Sequence, residues 1–141
     1  MPDLHHLVEI EASPAKVFDA LVTQSGLRSW WTADSTAEAR VGSVAEFGFM
    51  ERALVFRMEI AELSPGKRAV WKCVGDHAEW EGTRITWEMG EENGVTTLRM
   101  THAGWREVSP FCASCNSTWG ELMYRLKDAV EGRNPGPRWK K

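Results

Sequence analysis

The side chains able to carry chemistry are few and scattered. Cys112-Ala113-Ser114-Cys115 is a C-x-x-C at the start of an expected helix, where the helix dipole favours a thiolate and a redox pair or half a zinc site is conceivable. Zinc wants four ligands, however, and the chain has no second C-x-x-C and no H-x-x-H. Cys73 and His102 are the available completions, and nothing in the sequence brings them near. The competing reading makes Cys112 and Cys115 small buried hydrophobes, and the expectation is no metal and no cofactor.

His102 follows Met100 on the apolar side of a strand, where burial depresses a histidine pKa. It is either a core residue with its ring N–H satisfied or a polar anchor in an apolar pocket. Glu46, set among apolar residues of another strand, is the carboxylate that would partner it; these two are the weak catalytic candidates. His5 and His6 are adjacent on a strand and point to opposite faces, a poor chelate. Arg57 with Glu59, and Arg84 with Glu88, share strand faces. They read as a solvated outer face with weak ion pairs or, if that face lines a cavity, as groups orienting a polar head group. No Ser-His-Asp order or Gly-rich phosphate loop emerges.

Hydrophobic periodicity supplies the elements that position these residues. Leu4 to Glu11 alternates as a strand, with Val8 and Ile10 on one side. Ser13-Pro14 caps a helix running to Thr23, and a short helix is expected over Leu27 to Trp31. Alternating strands follow over 43–50, 54–63, 68–74, 83–89 and 95–103, with a polar connection over Asp76 to Gly82 and a hairpin signal at Asn93-Gly94. Ser109-Pro110 opens a final amphipathic helix that ends before Gly132. At 1.5 Å per residue it is about 30 Å long, enough to cross a whole sheet. One strand, two short helices, a run of strands and one long helix make an α+β chain, a curved antiparallel sheet of about six or seven strands around the C-terminal helix. Residues 1–132 read as one domain. Residues 133–141, with Arg133, Arg138, Lys140, Lys141 and two prolines, read as a flexible basic tail.

Composition narrows the function classes. A net charge of −3 gives no footprint for nucleic acid. No apolar run approaches the roughly 18 residues of a membrane span, and Met1 to His6 lacks a signal-peptide pattern. Three cysteines, an odd number, fit reduced thiols, so the expected location is cytoplasmic. Eight Trp stand against one Tyr and five Phe; such an excess either fills a core or walls a cavity.

The chain resembles the Aha-type branch (activator of heat-shock ATPase homologue 1-like) of the START/birch-allergen-like SRPBCC superfamily. The likeness rests on Ile10-Glu11-Ala12-Ser13-Pro14-Ala15-Lys16-Val17-Phe18, Trp30-Trp31, Gly42, Thr83-Arg84-Ile85-Thr86-Trp87, Thr96 to Gly104, and Trp119 to Leu126 followed by Gly132. It covers about Val8 to Gly132 and implies a helix-grip fold with a hydrophobic cavity between sheet and long helix, without a universal catalytic residue. The segment Val108 to Asn116 departs from the polar loop usual in related chains.

The function expected from these readings is binding of a small hydrophobic or aromatic ligand without established catalysis. The wall residues expected from the sheet are Phe47, Phe56, Met58, Trp71, Trp87, Met100 and His102; Trp31, Trp119 and Met123 would complete the wall. Two alternatives stand beside it. One is a cyclase- or hydratase-type enzyme using His102. The other is an interaction module, co-chaperone-like or self-associating, presenting Trp80, Trp105 and Trp139 as an exposed patch.

Overall fold

The computed structural model describes residues 2–75 and 77–141; Met1 and Asp76, with which the signal-peptide and polar-connection readings begin, lie outside the described residues. β1 (Leu4–Ile10) leads into α1 (Pro14–Val22) and α2 (Gln24–Arg28). β2 (Asp34–Thr36), β3 (Val44–Phe49), β4 (Leu54–Ser64), β5 (Arg68–Cys73), β6 (Arg84–Glu92) and β7 (Val95–Ala103) follow, and α3 (Pro110–Val130) closes the series. The strands form one antiparallel sheet in the order β1-β7-β6-β5-β4-β3-β2. β2 to β7 are a meander, and β1 pairs with the last strand, Val8 opposite Leu98. The sheet curls as a half-barrel with α3 against it, the expected α+β helix-grip arrangement.

Each element has a local cause. Val8 and Ile10 are buried while Leu7 is 53% exposed, so β1 keeps its alternation in space. Asn93 and Gly94 have φ of 53° and 79° between the paired residues Glu92 and Val95, the two-residue hairpin turn whose twist suits its strands. A register shift between Ile60 and Glu62 interrupts the β4–β5 ladder, a bulge that bends a strand. Ser109 Oγ accepts from the Cys112 amide at 3.0 Å and starts α3. Gly132 (φ +88°) follows the last helical turn.

The structure departs from the sequence reading in two elements. The second helix occupies Gln24–Arg28, not 27–31. Thr23 caps it, accepting from Gly26 N at 3.0 Å. Gly26 lies inside this helix where α2 presses on α1: a Cβ there would sit 2.4 Å from Asp19 O and 2.6 Å from Ala20 Cα. Strand β2 was not anticipated. Its Asp-Ser-Thr carries no hydrophobic alternation, and Ser35 is buried by donating to Thr32 O at 2.7 Å. Residues 133–141 make contacts with the domain. Arg125 Nη2 donates to Pro135 O and Gly136 O at 3.0 and 2.6 Å, and Trp139 pairs through its backbone with residues 31–33.

Candidate functional site

The hollow between sheet and α3 divides into a filled inner part and an open mouth. Trp31 is the hub of the inner part. Its ring centroid lies 4.3 Å from Phe47, 5.4 Å from Trp119, 5.7 Å from Trp30 and 6.2 Å from Trp71, the two indole planes of the last pair within 1°. Trp87 meets Trp71 and Trp119 edge-on at 5.4 and 5.9 Å. These separations are those of favourable offset-stacked and edge-to-face pairs, which leave little room between rings. Met58, Met100 and Met123 are buried beside them. Phe47, Met58, Trp71, Trp87, Met100 and Met123, anticipated as cavity walls, therefore pack as core and do not line the cavity at the mouth.

His102 belongs with them. Trp119 Nε1 can only donate and lies 3.2 Å from His102 Nδ1, so Nδ1 is the acceptor. The ring proton is then on Nε2 and is donated to Thr83 Oγ1 at 2.8 Å. Thr83 Oγ1 in turn donates to Trp80 O at 2.6 Å. Each side-chain donor and acceptor of this Trp119–His102–Thr83 relay has a partner, and burial pushes the imidazole pKa down to about 3. Glu46 lies on the outer face, accepting from Arg52 Nη2 at 2.8 Å with Arg57 Nε 3.4 Å away. The pair named as catalytic candidates is thus not brought together, and His102 does not line the cavity.

The mouth is a partly open cavity of about 170 Å³. Trp31, Phe56, Trp80 and Trp119 form its base, Phe49, Leu54, Phe111 and Leu122 its sides, and Met50 and Trp139 its rim. Ser114, Cys115 and Thr118 add polar side chains along α3. Of the anticipated wall residues, Trp31, Phe56 and Trp119 are there. The alternation of β3 put Phe49 on the same side as Phe47 and was a usable signal; Met50, Trp80 and Trp139 had none, because loops lack periodicity.

The rim depends on an unusual turn. Met50, Glu51 and Arg52 are three consecutive non-glycine residues with φ of 53°, 58° and 66°, each in a region costly for L-residues. The Arg52 guanidinium holds them: Nη1 donates to both Asp34 carboxylate oxygens at 3.0 Å and Nη2 to Glu46. Gly48 makes the room, since a Cβ there would lie 2.0 Å from Asp34 Oδ2.

The expected exposed patch is corrected as well. Trp80 is 3% exposed and stacks on Phe56 at 3.8 Å; Trp105 is 1% exposed with its ring 4.8 Å from His102. Trp139 is half-buried against Phe49 at 4.9 Å. Burial pushes the Cys73 and Cys115 thiols up to about 11, and Cys112 is also raised, by burial first and then by Glu79. These directions disfavour a thiolate in the C-x-x-C, and Cys73 and Cys112 are buried while Cys115 is half-buried. Among the described residues no helix is long and apolar enough to cross a membrane.

Comparison with known proteins places this architecture. The family model for Activator of Hsp90 ATPase homolog 1-like protein matches residues 11–131. The solution structure of the Aha1 dimer from Colwellia psychrerythraea is 35% identical, covers 94% of this chain and 98% of that one, and superposes with a TM-score of 0.86. Protein CV1439 from Chromobacterium violaceum (21% identity, 92% and 96% coverage, TM-score 0.79) and MLL2253 from Mesorhizobium loti (18%, 90% and 96%, 0.76) share the fold. No curated protein matches. With a strand-and-helix order that fits from the first helix to the last, and a match spanning nearly the whole domain, the chain belongs to the Activator of Hsp90 ATPase homolog 1-like protein family.

Proposed function

We propose that the chain binds a small hydrophobic or aromatic molecule in the mouth cavity. The observation that carries this reading is an aromatic-walled space left open at the mouth while the hollow behind it is packed shut. Its volume of about 170 Å³ is close to the roughly 150 Å³ apolar cavity known to take up benzene. The ligand is accordingly the size of one ring or a short branched chain, with room for one polar group near Ser114 and Thr118. Calorimetric titration with phenol, indole and short-chain acids tests it, with a steroid as the oversized control. Single-ring compounds bind with a negative heat-capacity change, and Cys115→Trp, which fills the cavity, abolishes the heat. Heats no larger in the wild type than in Cys115→Trp, across the whole panel, would sink the reading.

A second reading is self-association, favoured by the 35% identical relative having been solved as a dimer. Leu7 and Tyr124, 53% and 62% exposed and flanking one groove, are the surface that a second copy would cover. Sedimentation of the wild type and of Leu7→Glu decides: a dimer lost in the variant supports it, and a monomer at high concentration overturns it.

A further inference from the structure

We infer that residues 134–141 form a gate over the cavity, with Trp139 as the movable wall through which ligand enters and leaves. This rests on the reading of the cavity as a binding site. The aromatic base of the cavity is set deeper: Trp31, Phe56, Trp80 and Trp119 are each at most 5% exposed. Trp139 is held differently. Its N–H donates to Trp31 O at 3.1 Å, its carbonyl accepts from Ala33 N at 2.9 Å, and Lys141 O accepts from Met50 N at 2.7 Å. Next to it, Arg138 Nε pairs with Glu121 at 2.7 Å, both side chains more than 40% exposed. A short ladder, exposed ion pairs at Arg138 and at Lys141 (with Glu51, 3.8 Å) and one half-buried indole belong to the part of a protein that opens without global unfolding.

The segment is also built to swing. Pro135 and Pro137 lack an N–H, and their fixed rings stiffen the arm. Gly132, Asn134 and Gly136, with φ of 88°, 51° and 74°, place left-handed pivots at its base. Arg125 holds the arm's start through Pro135 O and Gly136 O, leaving the 138–141 end as the part that lifts. The opposite lip is Met50, on the strained turn, and its amide is bonded to Lys141 O. The two lips are therefore joined: releasing residue 141 frees Met50 as well.

The test uses 4-fluorophenol as probe and ¹⁹F line shapes to read its exchange with the full-length chain. Arg138→Glu opposes Glu121 and takes the guanidinium off the Trp139 ring, 4.9 Å away, while leaving every lining residue itself unchanged; it speeds probe entry about fivefold, the scale of one exposed ion pair. Glu121→Arg added to it restores the pairing and the wild-type rate. Trp139→Ala speeds entry by roughly tenfold, from the loss of a half-buried aromatic anchor. In both opened variants the Ala33 and Met50 amides lose hydrogen-exchange protection while the β6–β7 amides keep theirs. Probe that binds wild type and Arg138→Glu at one rate overturns the gate and leaves the cavity reading standing. Probe that binds neither wild type nor the opened variants overturns both.

Discussion

The inner hollow and its mouth are built from the same residue type and behave differently. Inside, Trp31, Trp71, Trp87 and Trp119 meet one another with faces and edges in contact, and His102 is locked between Trp119 and Thr83. At the mouth, Trp80 stacks on Phe56 and Trp139 meets Phe49, and each also borders the open space. The difference lies in what supports them. Trp71 and Trp87 sit on the neighbouring strands β5 and β6, about 5 Å apart, Trp119 on the facing α3 and Trp31 on the turn after α2, and their rings meet. The mouth is framed by a loop held open by Arg52 and by an arm folded back from the end of α3, and neither framework draws its side chains together. Trp71 and Trp87, on strands, are filler; Trp80 and Trp139, outside the strands and helices, are wall; Trp31 and Trp119 belong to both parts.

This contrast can be broken most forcefully in the inner part. Trp71→Ala removes a ring that stacks on Trp31 and Phe47 and costs about 3–5 kcal/mol, measured by urea denaturation. A loss near that of Trp139→Ala, expected to be far smaller, would erase the distinction between filler and wall.

Acid acts on the same region. His102 is neutral in the fold, with a pKa near 3 against about 6.5 unfolded. The unfolded chain therefore takes up the proton first. The contribution is fully present above about pH 6.5 and is lost as pH falls toward 3, at about 1.4 kcal/mol per pH unit. Glu131, lowered to about 2 by the Glu11 amide and Lys127, loses its contribution as pH falls from the ordinary carboxylate range toward 2. His102→Gln should flatten the stability slope between pH 6.5 and 4.5, where Glu131 does not yet titrate. An unchanged slope would mean that His102 is not sealed.

Smaller effects sharpen the comparison at its edges. Gly26→Ala pushes α2 off α1, since the new methyl meets backbone and not a yielding side chain, at about 1–3 kcal/mol; thermal unfolding reads it. Arg52→Ala is expected to leave global stability nearly unchanged while the Met50 amide exchanges faster. If the Met50 amide stays protected, the left-handed turn holds without its guanidinium.

Much of this was legible before any coordinates. The alternation in β1, β4, β6 and β7 and the stripe along α3 determine the half-barrel and its helix, because a period of 2 or 3.6 fixes which side of an element is buried. Ser13-Pro14, Ser109-Pro110 and Asn93-Gly94 mark boundaries through chemistry local to a few residues. The same patterning identified Trp31, Phe56 and Trp119, which do line the cavity. It could not separate them from Trp71 or Met100, which share their pattern and are packed in the core, since facing the hollow is a property of one element and touching an empty space is a property of several.

What the sequence determined, then, is which side chains point inward; which of them meet, and which leave a gap, was decided by the tertiary structure. Trp80, Trp139 and Met50 have no periodic neighbours to announce them. Their places depend on contacts made across long sequence separations, Trp139 with Trp31 and Ala33, Met50 with Lys141, and Arg52 with Asp34. Such contacts exist only once the sheet has curled and the chain has returned to its mouth, because local propensity encodes nothing about a partner a hundred residues away.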